Sequence, residues 1–229
     1  MTRQKNWDAH VANAEDMARS PGFQALRDRI VEMAAPQPHE IVVDVGSGTG
    51  LLTLTLAQRA QVVWSVDIAP LMGSYLSAKA SSGQMTNVET ITASAVSLPL
   101  VDGFADVVVS NYCFHHVDST GKRRALAEAY RVLRPGGRLV FGDMMFRVSM
   151  TDARDRAVVT AKVGSMVRRG PAGILRLARN GVRFAGGRWE HPARADWWER
   201  SLAQAGFIEV CVETLEHEGG IAFAKRPDG

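Results

Sequence analysis

The sequence contains no apolar run approaching about 20 residues, so no stretch of it reads as a membrane-spanning helix. Cysteine is nearly absent, with Cys113 and Cys211 the two present in 229 residues. Their spacing fits no metal-ligand pattern, and both are expected reduced on buried strands or loops. No His/Asp/Glu spacing along the chain marks a metal site either, so none is expected. The opening residues, MTRQKNWDAH, lack the apolar core of a secretory signal, which leaves the cytoplasm as the simplest compartment. Missing too is a Lys followed by Ser or Thr behind the glycine-rich turn, which a triphosphate-binding loop requires.

What remains is a globular composition, 46% hydrophobic and 22% charged. A chain of this length is expected to form a single domain over residues 1–229, with appendages. The net charge of +3 is unevenly placed. Between Met144 and Ala195 there are eleven Arg or Lys against three Asp or Glu; that segment therefore carries +8 and the rest of the chain −5. A basic helical insertion at 147–192 on a slightly acidic body calls for an explanation.

The stretch EIVVDVGSGTGLLTL organises the chain. Ile41, Val42, Val43 and Val45 form the β-branched run of a buried parallel strand. Gly46, Ser47, Gly48, Thr49 and Gly50 then force a tight turn, and the leucines that follow suit a helix packed on a sheet, expected to reach about Ala60. Glycines permit positive φ and bring backbone N–H groups close to a ligand. The dinucleotide spacing GxGxxG is not met, because Leu51 stands where its last glycine belongs. Asp44, just before the turn, suits a cationic ligand better than a pyrophosphate.

An acidic residue followed by GxGxG resembles the first motif of the class I S-adenosylmethionine (SAM)-dependent methyltransferases. Further segments fit in order. A second strand from Val62 ends in Asp67, the position of the family's ribose-binding acid; Ile68 would lie by the adenine. As a bland alternative, Asp67 caps the helix opening near Pro70. After a third strand, Val88 to Ala93, the family often carries an Asp that binds the adenine amino group. Here Ser94 and Ala95 stand instead, so backbone groups of Ala95 and Val96 would have to supply that contact. A fourth strand, Val107 to Val109, leads into SNYCFHHV, and RVLRPGG, with a turn at Pro135-Gly136-Gly137, precedes a fifth strand at Arg138 to Phe141. This arrangement is similar to the subgroup acting mostly on small molecules and lipids, and the resemblance covers about Ile41 to Asp143.

The resemblance implies a Rossmann-like α/β three-layer sandwich. Its mostly parallel seven-stranded sheet would have the order 3-2-1-4-5-7-6, the last strand antiparallel, and helical lids. SAM would be held by Asp44, Gly46, Ser47, Gly48, Gly50, Asp67, Ile68, Ser94, Ala95 and Asn111. Residues 1–38 would form an N-terminal lid in which Trp7 and His10, with Tyr112, meet the acceptor. His115 and His116 are the candidate bases, since imidazole titrates near neutrality; packing roles are the alternative. No Asn-Pro-Pro-Tyr signature for methylating base amino groups is present.

Beyond Asp143 the chain reads as helices broken at Gly170-Pro171, with an apolar stripe of Ile174, Leu175, Leu177, Ala178 and Val182 beside Arg176, Arg179 and Arg183. Phe184, Gly186, Gly187 and Trp189 close that segment. One more helix carries Trp197, Trp198 and Leu202, and a hairpin turns at Glu218-Gly219-Gly220. The expected acceptor is small and rather apolar or lipid-like, with peripheral contact to an anionic membrane surface as one use of the basic stripe and a solvated lid as the other. RNA or protein methylation through that stripe, or SAM binding without catalysis, are the alternatives. Nucleic acid is disfavoured because no aromatic platform interleaves the arginines.

Overall fold

Alternation along the strands decides the layers, because successive side chains point to opposite faces. In β1 (Ile41–Val45), Val42 joins a cluster with Leu26 and Ile30 of α2 (Pro21–Ala34) and Leu56 of α3 (Thr53–Leu56). Val43 and Val45 face the other way, toward Leu126 and Ala129 of α5 (Ser119–Val132) and Trp198 of α8 (Ala195–Gln204). Two apolar layers on one sheet give the three-layer sandwich. The computed structural model describes residues 7–147, 149, 151–185 and 190–229.

The sheet also contains β2 (Val62–Asp67), β3 (Val88–Thr92), β4 (Ala105–Asn111), β5 (Leu133–Met144), β6 (Ile208–Thr214) and β7 (Gly219–Lys225). Its order is β3-β2-β1-β4-β5-β7-β6. The first five strands run parallel, and β7 is antiparallel to both β5 and β6. This is the Rossmann-like methyltransferase sheet that the sequence leads one to expect. Between β1 and β4 the strand order reverses direction, so the crevice at their carboxyl ends is where such a sheet accepts ligands. The remaining helices are α1 (Val11–Ala18), α4 (Pro70–Ser82), α6 (Ala153–Val167) and α7 (Pro171–Ala185). Among the described residues, no helix is long and apolar enough to cross a membrane.

Three expectations need correction. Helix α3 is one turn and does not reach Ala60, because the Asn87 amide donates to the carbonyls of Ala57 (2.8 Å) and Ala60 (3.2 Å) and holds that stretch in turns. Pro135-Gly136-Gly137 is not a turn before β5 but lies within it; the strand absorbs it through a register shift opposite Ala105 to Val107 and a positive φ of 74° at Gly136. Cys211 is exposed, since β6 is an edge strand with one face to solvent. Gly170 does separate α6 from α7, at φ 67°. Residues 186–189, with the expected closing Gly186, Gly187 and Trp189, lie outside the described residues.

Candidate active site

The glycine turn sits where β1 and β2 end together. Gly46 and Ser47 both donate to the Val66 carbonyl, at 2.7 and 3.2 Å, which draws the turn back against β2. Gly46 has φ 74°, and a Cβ there would lie 2.3 Å from Cys113 Sγ, so no side chain fits. At Gly48 (φ 53°) a Cβ would meet no atom within 4 Å, so this stretch of backbone is open to a ligand. Ser47 is used internally: its hydroxyl accepts from Ser65 Oγ at 2.6 Å.

Two carboxylates flank the turn. Asp44 is buried; Thr53 Oγ1 donates to its Oδ2 at 2.6 Å, while Oδ1 has no hydrogen-bond partner among the described residues. Burial, and then the nearby negative Asp67, push the Asp44 carboxyl up to about 7. Asp67 accepts from Gly48 N and Ala69 N, both at 2.9 Å, so it braces the glycine turn and the link into α4, whose N-cap is Ala69 and not Asp67. Asn111, ending β4, has a second buried acceptor, Oδ1, without a partner among the described residues. A buried acidic pocket with unpartnered oxygens is costly unless a cation fills it. Ile68 follows Asp67 on the surface, and Ser94 and Ala95 lie half-buried at the end of β3, Ser94 paired with Ser97. Helix α1 is latched to the same turn, since Lys79 Nζ reaches both Glu15 (3.0 and 3.2 Å) and the Thr49 carbonyl (3.2 Å).

Across the crevice, β4 is followed directly by Tyr112, held at φ 52°, a left-handed conformation that a bulky residue adopts only under constraint. Its ring stacks on Phe23 of α2 at 4.7 Å between centroids. Burial raises the Tyr112 phenol well above its usual range, and Cys113 likewise, so both stay protonated at neutral pH. Next comes a short 3-10 turn, Phe114–His116. Asp143, at the end of β5 and fully buried, grips it: Oδ2 accepts from His115 N (3.0 Å) and Oδ1 lies 2.6 Å from His115 Nδ1. Trp7 tilts over His116 at 4.4 Å between centroids, and His10 lies edge-on to Trp7 at 5.9 Å. The structure thus brings Trp7, Tyr112, His115 and His116 together, as the sequence suggests, with His10 behind them.

Sequence reasoning missed Asp143 and Glu190. An acid closing the apolar fifth strand could have signalled the first. Nothing in the sequence points to the second, which the fold brings from 74 residues beyond His116. Beside them lies a cavity of about 600 Å³ lined by Ser119, Lys122, Arg147, Glu190, Arg194 and Trp197, among others. Burial pulls the Lys122 ammonium down to about 8. A lowered amine pKa means the folded state disfavours the proton; stability is greatest above pH 10.5 and declines as pH falls through 8. Lys122→Met is therefore expected to stabilise the fold at pH 7 by about 1 kcal/mol, after the lost bond to the Val117 carbonyl is set against it, and so to raise the melting temperature, with the gain shrinking by pH 10. Thermal unfolding at both pH values checks this.

The sheet order, the acid-flanked glycine turn and the ordered strand ends can be compared with known proteins. Residues 43–141 match the methyltransferase-domain family. This stretch is similar to the methyltransferase domain. The orphaned Asp44 oxygen, the open Gly48 backbone and the paired acids fit a ligand carrying a sulfonium and an ammonium, as S-adenosylmethionine does. Around the domain, an uncharacterized methyltransferase of Geobacillus kaustophilus is 31% identical over 120 residues, 52% of this chain and 54% of its own length. A ubiquinone/menaquinone biosynthesis C-methyltransferase of Vibrio vulnificus is 32% identical over 126 residues, 53% of this chain and 48% of its own. The chain thus spans about half the length of the curated relatives it matches. Among solved structures, a SAM-dependent methyltransferase from Aquifex aeolicus has a TM-score of 0.65 at 18% identity, covering 95% of this chain and 97% of its own. Phosphoethanolamine N-methyltransferase 2 of Haemonchus contortus has a TM-score of 0.74 at 15% identity, covering 99% of this chain and 59% of its own. Similarity at that level of identity establishes a shared fold.

Proposed function

We propose that the chain transfers a methyl group from SAM to a small, lipid-like acceptor seated against Tyr112, His115 and His116. When bound, SAM supplies an electrophilic methyl group on a sulfonium that departs as a neutral thioether. The chain's own residues then have three tasks. Asp44 and the Gly46–Gly50 turn hold the cationic end, and the Asp67 carboxylate, where β2 ends beside the turn, receives the ribose hydroxyls. Asn111 offers its amide oxygen at the same crevice. Ile68, Ser94 and Ala95 frame the adenine. Trp7 and Phe23 exclude water above the reacting atoms, and orientation of this kind can lower a barrier by roughly 7–11 kcal/mol. The imidazoles, with the His115 ring fixed by Asp143, are the polar groups offered to the acceptor.

One observation carries the lipid-like acceptor. At 3.6 residues per turn, Ile174, Leu175, Ala178 and Val182 fall in one arc of α7, and Arg176 and Arg179 in the arc beside it. The apolar arc does not face the core: Ile174, Leu175 and Val182 are 55%, 53% and 74% exposed. Val163 and Val167 of α6 are exposed as well, close to Arg168 and Arg169. Exposed apolar surface edged by arginines suits an anionic bilayer, where each basic residue near the headgroups contributes about 1 kcal/mol. The quinone-pathway name of the Vibrio relative agrees with such an acceptor.

Co-sedimentation with vesicles containing anionic lipid tests the reading. The chain is expected to pellet at low salt and stay in solution at high salt, and the variant Ile174→Asp/Leu175→Asp should remain soluble at both. Absence of binding at low salt would remove the membrane contact and the case for a lipid-like acceptor. A strongly salt-dependent affinity for tRNA would instead favour an RNA acceptor.

A further inference from the structure

Sequence spacing gives no metal set, yet the fold assembles one. We propose that His115, His116 and Glu190 bind a divalent transition metal ion of the zinc or ferrous type at the edge of the acceptor site. One ligand atom from each lies within 4.8 Å of the others, close enough for small side-chain rotations to close them around an ion. Asp143 supplies the independent observation. Its buried carboxylate, 2.6 Å from His115 Nδ1, is the partner that a metal-bound histidine characteristically has, since it fixes the ring and leaves the opposite nitrogen to ligate. The backbone positions the third ligand: His191 N donates to the His115 carbonyl at 2.7 Å, pinning the segment that carries Glu190 beside the histidine pair.

Two imidazoles and one carboxylate select a borderline metal over magnesium or calcium, which prefer all-oxygen sets. Glu190 and Asp143 together balance the charge of a dication. Three protein ligands leave coordination positions open, and Glu190 also lines the cavity of about 600 Å³, so those positions are reachable by an acceptor. Trp7 covers the His116 ring from one side. A hydroxyl bound to such an ion loses its proton more readily, so the histidines act as ligands and need not serve as bases. Metal capture stands without the proposed acceptor; the role given to the acceptor's oxygen rests on that reading.

The test uses the full chain stripped with a chelator, then titrated with Co²⁺ at pH 7.5 and, in parallel, with SAM. Expected is one Co²⁺ per chain at micromolar or tighter affinity, with visible d–d absorption and a raised melting temperature. Glu190→Gln and His116→Ala, both on accessible side chains, should each weaken binding at least tenfold, and Asp143→Asn by 10–100-fold. Absence of binding, or equal affinity in wild type, Glu190→Gln and His116→Ala, overturns the site. A chain that binds SAM but not Co²⁺ loses only the metal proposal; one that binds Co²⁺ but not SAM loses only the methyl-transfer reading.

Discussion

Asp44→Asn is expected to weaken SAM binding about 100-fold while making the ligand-free protein more stable at pH 8. Both effects arise because a buried carboxylate has one oxygen without a partner. Removing one member of a desolvated charge pair costs binding about 2–5 kcal/mol. In the ligand-free protein the raised pKa reverses the balance. A carboxyl raised to about 7 contributes stability that is complete below pH 3.8 and is lost as pH climbs through 7. At pH 8 the wild type therefore carries a penalty of about 2–4 kcal/mol that the amide does not. Denaturant unfolding at pH 5 and 8, with calorimetric SAM titration of the same samples, reads both. The wild type should also bind SAM more tightly as pH rises from 5.5 to 7, by at most about tenfold per unit, releasing a proton as it binds. A variant equal to wild type in affinity and pH dependence would show that Asp44 does not meet the donor.

Gly46→Ala is the second large effect, expected to abolish detectable SAM binding and to destabilise the fold by about 2–6 kcal/mol. The sum has two parts: a non-glycine residue at φ 74° costs about 1–3 kcal/mol, and overpacking costs about as much again. The added methyl would press on Cys113 Sγ and Cβ at 2.3 and 2.5 Å and displace the segment leading to His115. Because two mechanisms contribute, they can be separated. Gly46→Ala/Cys113→Gly removes the clash but not the φ strain, so it should recover roughly half the stability relative to Cys113→Gly alone. Full additivity of the two substitutions would show that the clash is not felt.

Much of this site is local, and that is why it could be read from residues in a row. Strand, turn and helix are fixed by neighbours, so the glycine turn, Asp44 and Asp67 were placed by the spacing of Ile41 to Leu56. The strands followed from continuous β-branched runs. Asp67 shows a limit of that logic: both a ligand-facing and a capping reading were open, and in the fold its oxygens accept from Gly48 and Ala69 while Ala69 is the N-cap of α4. Asp143 and Glu190 were missed because their roles depend on parallel strands ending together and on a loop returning to His115. Those distances exist only in three dimensions. The stripe on α7 was visible, but periodicity shows that a helix has an apolar arc and not what covers it; here that arc lies in solvent. Helix α3 was overestimated because Asn87, thirty residues away, takes up the carbonyls at Ala57 and Ala60.

Calorimetric titration of the purified chain with S-adenosylhomocysteine and, separately, with NADH tests the donor site most directly. One S-adenosylhomocysteine per chain at micromolar affinity, with no heat from NADH, is the predicted result. Preference for NADH, or no heat from S-adenosylhomocysteine at any pH between 6 and 8, would contradict the account.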